Sequence, residues 1–165
     1  MGIGDWTQSP IPKTSIDVSN FDTSKATDIS QMFESCSKLK ELNLNKFRTS
    51  NVKTIGSMFA NCISLVSLDI TMFDISSASS LSSLFYNCTS LKSLDVTKLK
   101  TTKITMMSNM FAHCSNLTSL DVSKFDMTSV NSLYGMFDGC KSLRSLEVLN
   151  LFKFNSFNFV QDSNI

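Results

Sequence analysis

"NVKTIGSMFANCISLVSLDITMFDIS" (51–76) decides how the chain is to be read, because it occurs again on either side of itself. "SASSLSSLFYNCTSLKSLDVTKLKTT" (77–102) and "KITMMSNMFAHCSNLTSLDVSKFDMT" (103–128) follow it, and "KATDISQMFESCSKLKELNLNKFRTS" (25–50) precedes it. A further unit opens at Ser129 and decays after Leu149, while "SIDVSNFDTS" (15–24) matches the closing ten residues of a unit. The cysteines at 36, 62, 88, 114 and 140 are thus each 26 residues apart. Self-similarity at such a period is the mark of stacked structural repeats.

Two hydrophobic periods alternate within the unit. Val52, Ile55, Met58, Phe59 and Cys62 are spaced as one face of a helix of about 3.6 residues per turn. A Ser or Thr (Ser24, Ser50, Ser76, Thr102, Thr128) stands two places ahead of each such stretch, where a hydroxyl caps the first turn. After the cysteine, Leu68 and Ile70 alternate with Ser67 and Asp69, which predicts a short strand with Ser67 and Asp69 outward. The "FDTS" stretch (21–24) and its echoes turn the chain back toward the next helix.

The expected fold is therefore an α/β repeat, a leucine-rich-repeat-like right-handed solenoid with one short parallel strand and one short helix per 26-residue coil. Strands at ~4.8 Å form a sheet on one side. Wider helices on the other curve the stack, so that the sheet is concave. A flat parallel β-solenoid is the alternative. The chain divides into an N-terminal lead-in (1–14), a solenoid of about five coils (15–149) and a Phe-rich cap or degenerate repeat (150–165).

Composition restricts the function. With 15 Lys and Arg against 14 Asp and Glu, the formal charge is +1, too balanced to draw the chain to nucleic acid. No apolar run approaches the ~20 residues of a membrane span. "MGIGDWTQSPIPKTS" (1–15) lacks the basic start and apolar centre of a secretion signal, so the chain reads as a soluble protein or an excised piece of a longer one.

The cysteines admit several chemistries, and the spacing argues against most. A metal site wants about four convergent ligands, often as Cys-x-x-Cys pairs; here the thiols are far apart and His113 is the single histidine. Adjacent helices at ~8–10 Å hold the cysteines too far apart for a disulfide. A nucleophilic thiolate needs a base, and one histidine cannot serve five cysteines. Each cysteine is expected to be a small buried apolar residue closing the helix face. No metal, no cofactor and no catalytic residue is expected.

The motif "MFxxCxxLxSLDVSxFDTS" resembles the 26-residue bacterial surface-protein repeat, a relative of the BspA-like leucine-rich repeats, over residues 15–149. "FDTSKATDISQMF" (21–33) and "SLDVSKFDMTSVNSLYGMF" (119–137) carry it best. The resemblance implies a non-catalytic solenoid, displayed on a cell surface or secreted, that serves adhesion or protein recognition. An intracellular scaffold for protein–protein interaction is the alternative, with a cytoplasmic location.

The outward strand positions form the one patterned surface. Asp69, Asp95 and Asp121 make a column continued by Asn43 and Glu147, flanked by Ser67, Ser93 and Ser119 and by Thr71, Thr97 and Ser123. Like charges in register repel, unless Lys46, Lys98 and Lys124 neutralise them. Two readings follow: a face for a protein or glycan ligand, with basic partners favoured, or a solvated face whose Asp residues satisfy turn backbone. In either case the chain is expected to be a monomer or part of a longer array.

Overall fold

A computed structural model describes residues 14–147. The lead-in expected over 1–14, Thr14 apart, and the Phe-rich end expected over 150–165 lie outside them. Every bridge in the described chain joins residues 26 apart, always in parallel: Ser15 with Glu41, Asp28 with Thr54, Ser80 with Met106, and Met106 with Ser132. Two regular strands, β1 (Ser119–Asp121) and β2 (Ser145–Glu147), pair in the same way, Leu120 opposite Leu146. In the earlier coils the strand side is tied by single bonds, such as Lys92 N–H to the Val66 carbonyl at 3.2 Å and Val66 N–H to that of Lys40 at 3.4 Å. The alternation holds throughout, with Leu68 and Ile70 buried and Ser67 and Asp69 exposed.

The expected helix is absent: no α-helix occurs among the described residues. From Ile55 to Cys62 the backbone is a ribbon of linked turns. Met58, Ala60 and Cys62 donate to the carbonyls three residues back (3.3, 3.0 and 3.2 Å). The residues between them, Ser57, Phe59 and Asn61, donate instead to the next coil, at Ser82 (3.1 Å), Leu84 (3.1 Å) and Tyr86 (2.8 Å). A left-handed backbone at every fourth residue makes this possible: φ is 56° at Ser57 and 61° at Asn61, and the pattern recurs at 83 and 87 and at 109 and 113.

The physical reason is spacing. A helix uses its donors internally and needs ~8–10 Å from its neighbour. Here one Phe per coil stacks on the next: Phe33, Phe59, Phe85, Phe111 and Phe137 have consecutive ring centroids 5.8, 5.5, 5.7 and 5.8 Å apart, with planes within 10°. Coils that close have no room for helices, so half the donors of the segment pass to the neighbouring coil. Three of the five Ser and Thr residues expected to cap helices instead close turns: Ser24, Ser76 and Thr128 donate their N–H to Asp22, Asp74 and Asp126 at 2.9, 3.0 and 2.8 Å. The curvature attributed to wide helices likewise loses its cause.

The core runs the length of the stack. Ile55, Met58, Phe59, Cys62 and Leu65 are all fully buried, as are their counterparts Leu81, Phe85, Cys88 and Leu91. The buried polar side chains among the described residues are Thr23, Thr49 and Thr101. Each accepts the backbone N–H of the coil above, from Arg48, Asp74 and Asp126 at 2.8, 2.8 and 2.7 Å.

Candidate functional site

The cysteine column is built into the backbone network. Cys62, Cys88, Cys114 and Cys140 are buried thiols, each donating to the carbonyl of the Phe one coil below: Phe33, Phe59, Phe85 and Phe111, at 3.0–3.1 Å. They are therefore more than apolar filler. Burial pushes the Cys62 thiol up to about 12 and that of Cys140 up to about 11, and drives Cys88 and Cys114 upward as well. A thiol so held carries almost no thiolate at neutral pH, and thiolate is the reactive form. No group of His, Cys, Asp and Glu among the described residues is arranged to hold a metal ion. Cys36, expected to be buried like the rest, is only half-buried. Cys36 is thus expected to react with a maleimide in the native protein while the other four react only on unfolding. Timed alkylation with peptide mapping checks this, and equal rates at all five would refute it.

The strand side forms a trough of about 1090 Å³ that runs across the coils from Ser15 to Asp121. Of the nine residues expected on this face, Ser67, Asp69, Ser93, Asp95, Thr97, Ser119 and Asp121 line it. The remaining two, Thr71 and Ser123, act as donors that hold the carboxylates. Asp69 Oδ1 accepts from Thr71 N–H (2.9 Å) and hydroxyl (2.7 Å), and Asp95 Oδ1 from Thr97 N–H (2.9 Å) and hydroxyl (2.6 Å). Asp121 Oδ1 accepts from Ser123 N–H at 2.9 Å. A short acidic side chain that caps the backbone two residues on is what makes Asp and Asn common at such turns. Asn43 makes the same bond with Asn45 N–H at 3.1 Å, so the turn needs the oxygen and not the charge.

These bonds also set the ionisation. Side-chain and then backbone donation from Thr71, Thr97 and Ser123 holds Asp69, Asp95 and Asp121 below the ordinary carboxylate value of 3.8. Lys98 and Lys124 add smaller pulls on Asp95 and Asp121, while Asp95 pushes its neighbours upward. The trough therefore carries full negative charge at neutral pH. A second Asp column shows the alternative arrangement. There Asp22, Asp74 and Asp126 alternate along the stack with Arg48 and Lys100, and Lys100 helps to lower Asp74. That column alternates in sign down the stack, and the trough column does not.

Asn43, expected to continue the column, lines the N-terminal part of the trough together with Asn45, and the trough extends further to Asp17 and Glu41 there and to Met72 and Phe73 in its middle. Asp17 and Glu41 were readable from the columns, since "SIDVS" (15–19) aligns with "SLDIT" (67–71) and Glu41 with Ser67. Met72 had no sequence signal except that it stands where Lys46, Lys98 and Lys124 stand in the other coils.

The stacked coils, the ring column and the trough define a non-globular repeat protein, each coil covering the next. The chain belongs to the family described as "Mycoplasma protein of unknown function, DUF285", whose profile matches residues 8–95 and, overlapping, 64–162. No curated protein matches it. Among solved structures it is similar to a leucine-rich repeat protein of T. pallidum, with 19% identity and a TM-score of 0.49 over 73% of this chain. It is also similar to a leucine-rich repeat protein of Bacteroides ovatus ATCC 8483, with 21% identity and a TM-score of 0.43 over 81% of this chain. The chain spans 62% of the first protein and 36% of the second. No helix of the described residues is long and apolar enough to cross a membrane.

Proposed function

We propose that the chain is a non-catalytic binding module whose trough receives a protein or glycan ligand, and that it is displayed at a cell surface or secreted, where it serves adhesion. The observation that carries the reading is the line of turn-anchored carboxylates along the trough, which the chain's own lysines offset only in part. Each Asp satisfies its own turn with one oxygen, so the turn leaves the charge itself unexplained; Asn43 closes the same turn without charge. The resemblance to surface-protein repeats supplies the location. The ligand contacts assigned to this face are Ser67, Asp69, Ser93, Asp95, Thr97, Ser119 and Asp121, with Thr71 and Ser123 holding the carboxylates in place. No cofactor enters this function, nucleic acid is repelled by the charge, and the module works as a monomer or within a longer array. A second reading, an intracellular scaffold, is favoured by the five free thiols, which suit a reducing compartment.

Replacing Asp69, Asp95 and Asp121 together by Asn tests the trough. The precedent of Asn43 predicts a folded protein with unchanged circular dichroism. Like-charge repulsion is removed, but so is the charge in the turn bonds that hold these carboxylates below 3.8, so the melting temperature should change little. Affinity for a basic ligand recovered by pull-down should fall, and its dependence on salt should flatten. Because the Asp residues titrate below 3.8, the parent's binding should persist on acidification to about that pH. Equal affinity and equal salt slope in parent and variant would show that the trough is only solvated scaffold.

A further inference from the structure

We infer that the trough binds a basic protein segment and that the contact is centred on the coil 51–76, where Asp69 and the exposed Met72 both line the trough. The inference rests on the trough reading and adds the partner's chemistry and the point of contact.

Among the described residues, five carboxylates line the trough (Asp17, Glu41, Asp69, Asp95 and Asp121) and no Lys or Arg does. Three residues after the Asp column stands a position that is lysine in the other complete coils: Lys46, Lys98 and Lys124. Lys98 and Lys124 pull on Asp95 and Asp121. In the coil 51–76 the position is Met72 instead, and no lysine of the described residues is among the groups that shift Asp69: its Thr71 donors lower it, while desolvation and the repulsion of Asp95 raise it. Met72 lines the trough and is 66% exposed, more than Tyr134, Met106, Ile63 or Val66, the other large exposed apolar side chains among the described residues.

For the free protein this is the worse choice. A lysine would hydrate well and would offset Asp69; methionine does neither, and leaves an adaptable thioether in water. Both losses are recovered by one kind of occupant, a lysine or arginine side chain, whose cationic head meets Asp69 in a charge-assisted hydrogen bond and whose aliphatic stem lies over Met72. A neutral glycan donates hydroxyls to a carboxylate but leaves its charge uncompensated, and a nucleic acid is repelled by it. Charge complementarity along the rest of the trough then favours a segment with several basic residues.

The test uses the whole chain with a fluorescein-labelled octalysine peptide, read by anisotropy at low and moderate salt. The parent should bind in a salt-dependent manner. Met72→Lys, which completes the lysine column, should weaken binding roughly tenfold at low salt. Met72→Ala, which removes only the apolar platform, should weaken it roughly threefold. Met106→Lys places the same charge on an exposed methionine outside the trough and should leave binding near the parent's. Both positions are exposed, so thermal melts of the three variants should coincide and exclude unfolding as a cause. No binding by the parent, equal losses in Met72→Lys and Met106→Lys, or parent-like binding in both Met72 variants would each overturn the inference. If those Met72 variants bind like the parent while the triple Asn variant loses affinity, the trough reading stands and only this centre falls. If the triple variant also binds like the parent, both fall.

Discussion

Phe85→Ala is expected to destabilise the protein by about 3–5 kcal/mol, the usual cost of emptying a fully buried aromatic site. Phe85 has no exposed surface and sits in the middle of the ring column, 5.5 Å from Phe59 and 5.7 Å from Phe111, with planes 4° and 6° from parallel. Its loss removes apolar burial and two ring contacts, each worth about 0.5–1.5 kcal/mol beyond the area term. The backbone around it passes hydrogen bonds in both directions: Phe59 N–H reaches Leu84, and Phe85 N–H reaches Met110 at 2.9 Å. A cavity there loosens two coil interfaces at once. Stability in such a stack is close to a sum of coils and nearest-neighbour interfaces, so a central break should also divide the unfolding transition. Denaturant titration followed by circular dichroism and by tyrosine fluorescence checks this. A single transition shifted by less than about 1 kcal/mol would show that the ring column is not the main source of stability.

A fragment of residues 1–76 is expected to be largely unfolded, whereas the whole chain melts as a structured protein. The cut leaves the coil 51–76 with its donors open: Ser57, Phe59 and Asn61 lose the carbonyls of Ser82, Leu84 and Tyr86. Phe59 loses the ring above it, and the thiol of Cys88 no longer ties the coils through the Phe59 carbonyl at 3.1 Å. Each hydrogen bond exchanged for water loses about 0.5–1.5 kcal/mol net, the apolar face that the next coil covered is exposed, and the few coils left have little core to set against that. The ribbon has no intrinsic helical stability to fall back on, because half its hydrogen bonds belong to its neighbour. Circular dichroism and a thermal melt of the fragment decide the matter. A cooperative melt would mean that a coil pair folds by itself, and that coil-to-coil bonding matters less than the geometry implies.

The sequence by itself determined which residues face inward. Ile55, Met58, Phe59, Cys62 and Leu65 are buried as their spacing requires, and Leu68 and Ile70 alternate with exposed Ser67 and Asp69. It determined the 26-residue offset as well, seen again in every bridge from Ser15–Glu41 to Met106–Ser132. The Asp column was legible because a parallel stack in register must bring Asp69, Asp95 and Asp121 to one face.

The tertiary structure alone decided the backbone between Ile55 and Cys62. A helix repeats every 3.6 residues and the turn ribbon every four, with left-handed residues at Ser57 and Asn61. Over one short segment both bury the same side chains, so apolar spacing cannot tell them apart. The distance to the next coil does, and that distance is set by Phe59 stacked on Phe85. The same holds for Met72. In the sequence it is one departure from a lysine column; only the stack places it in the same trough as Asp69, where the missing positive charge changes the field that a ligand meets.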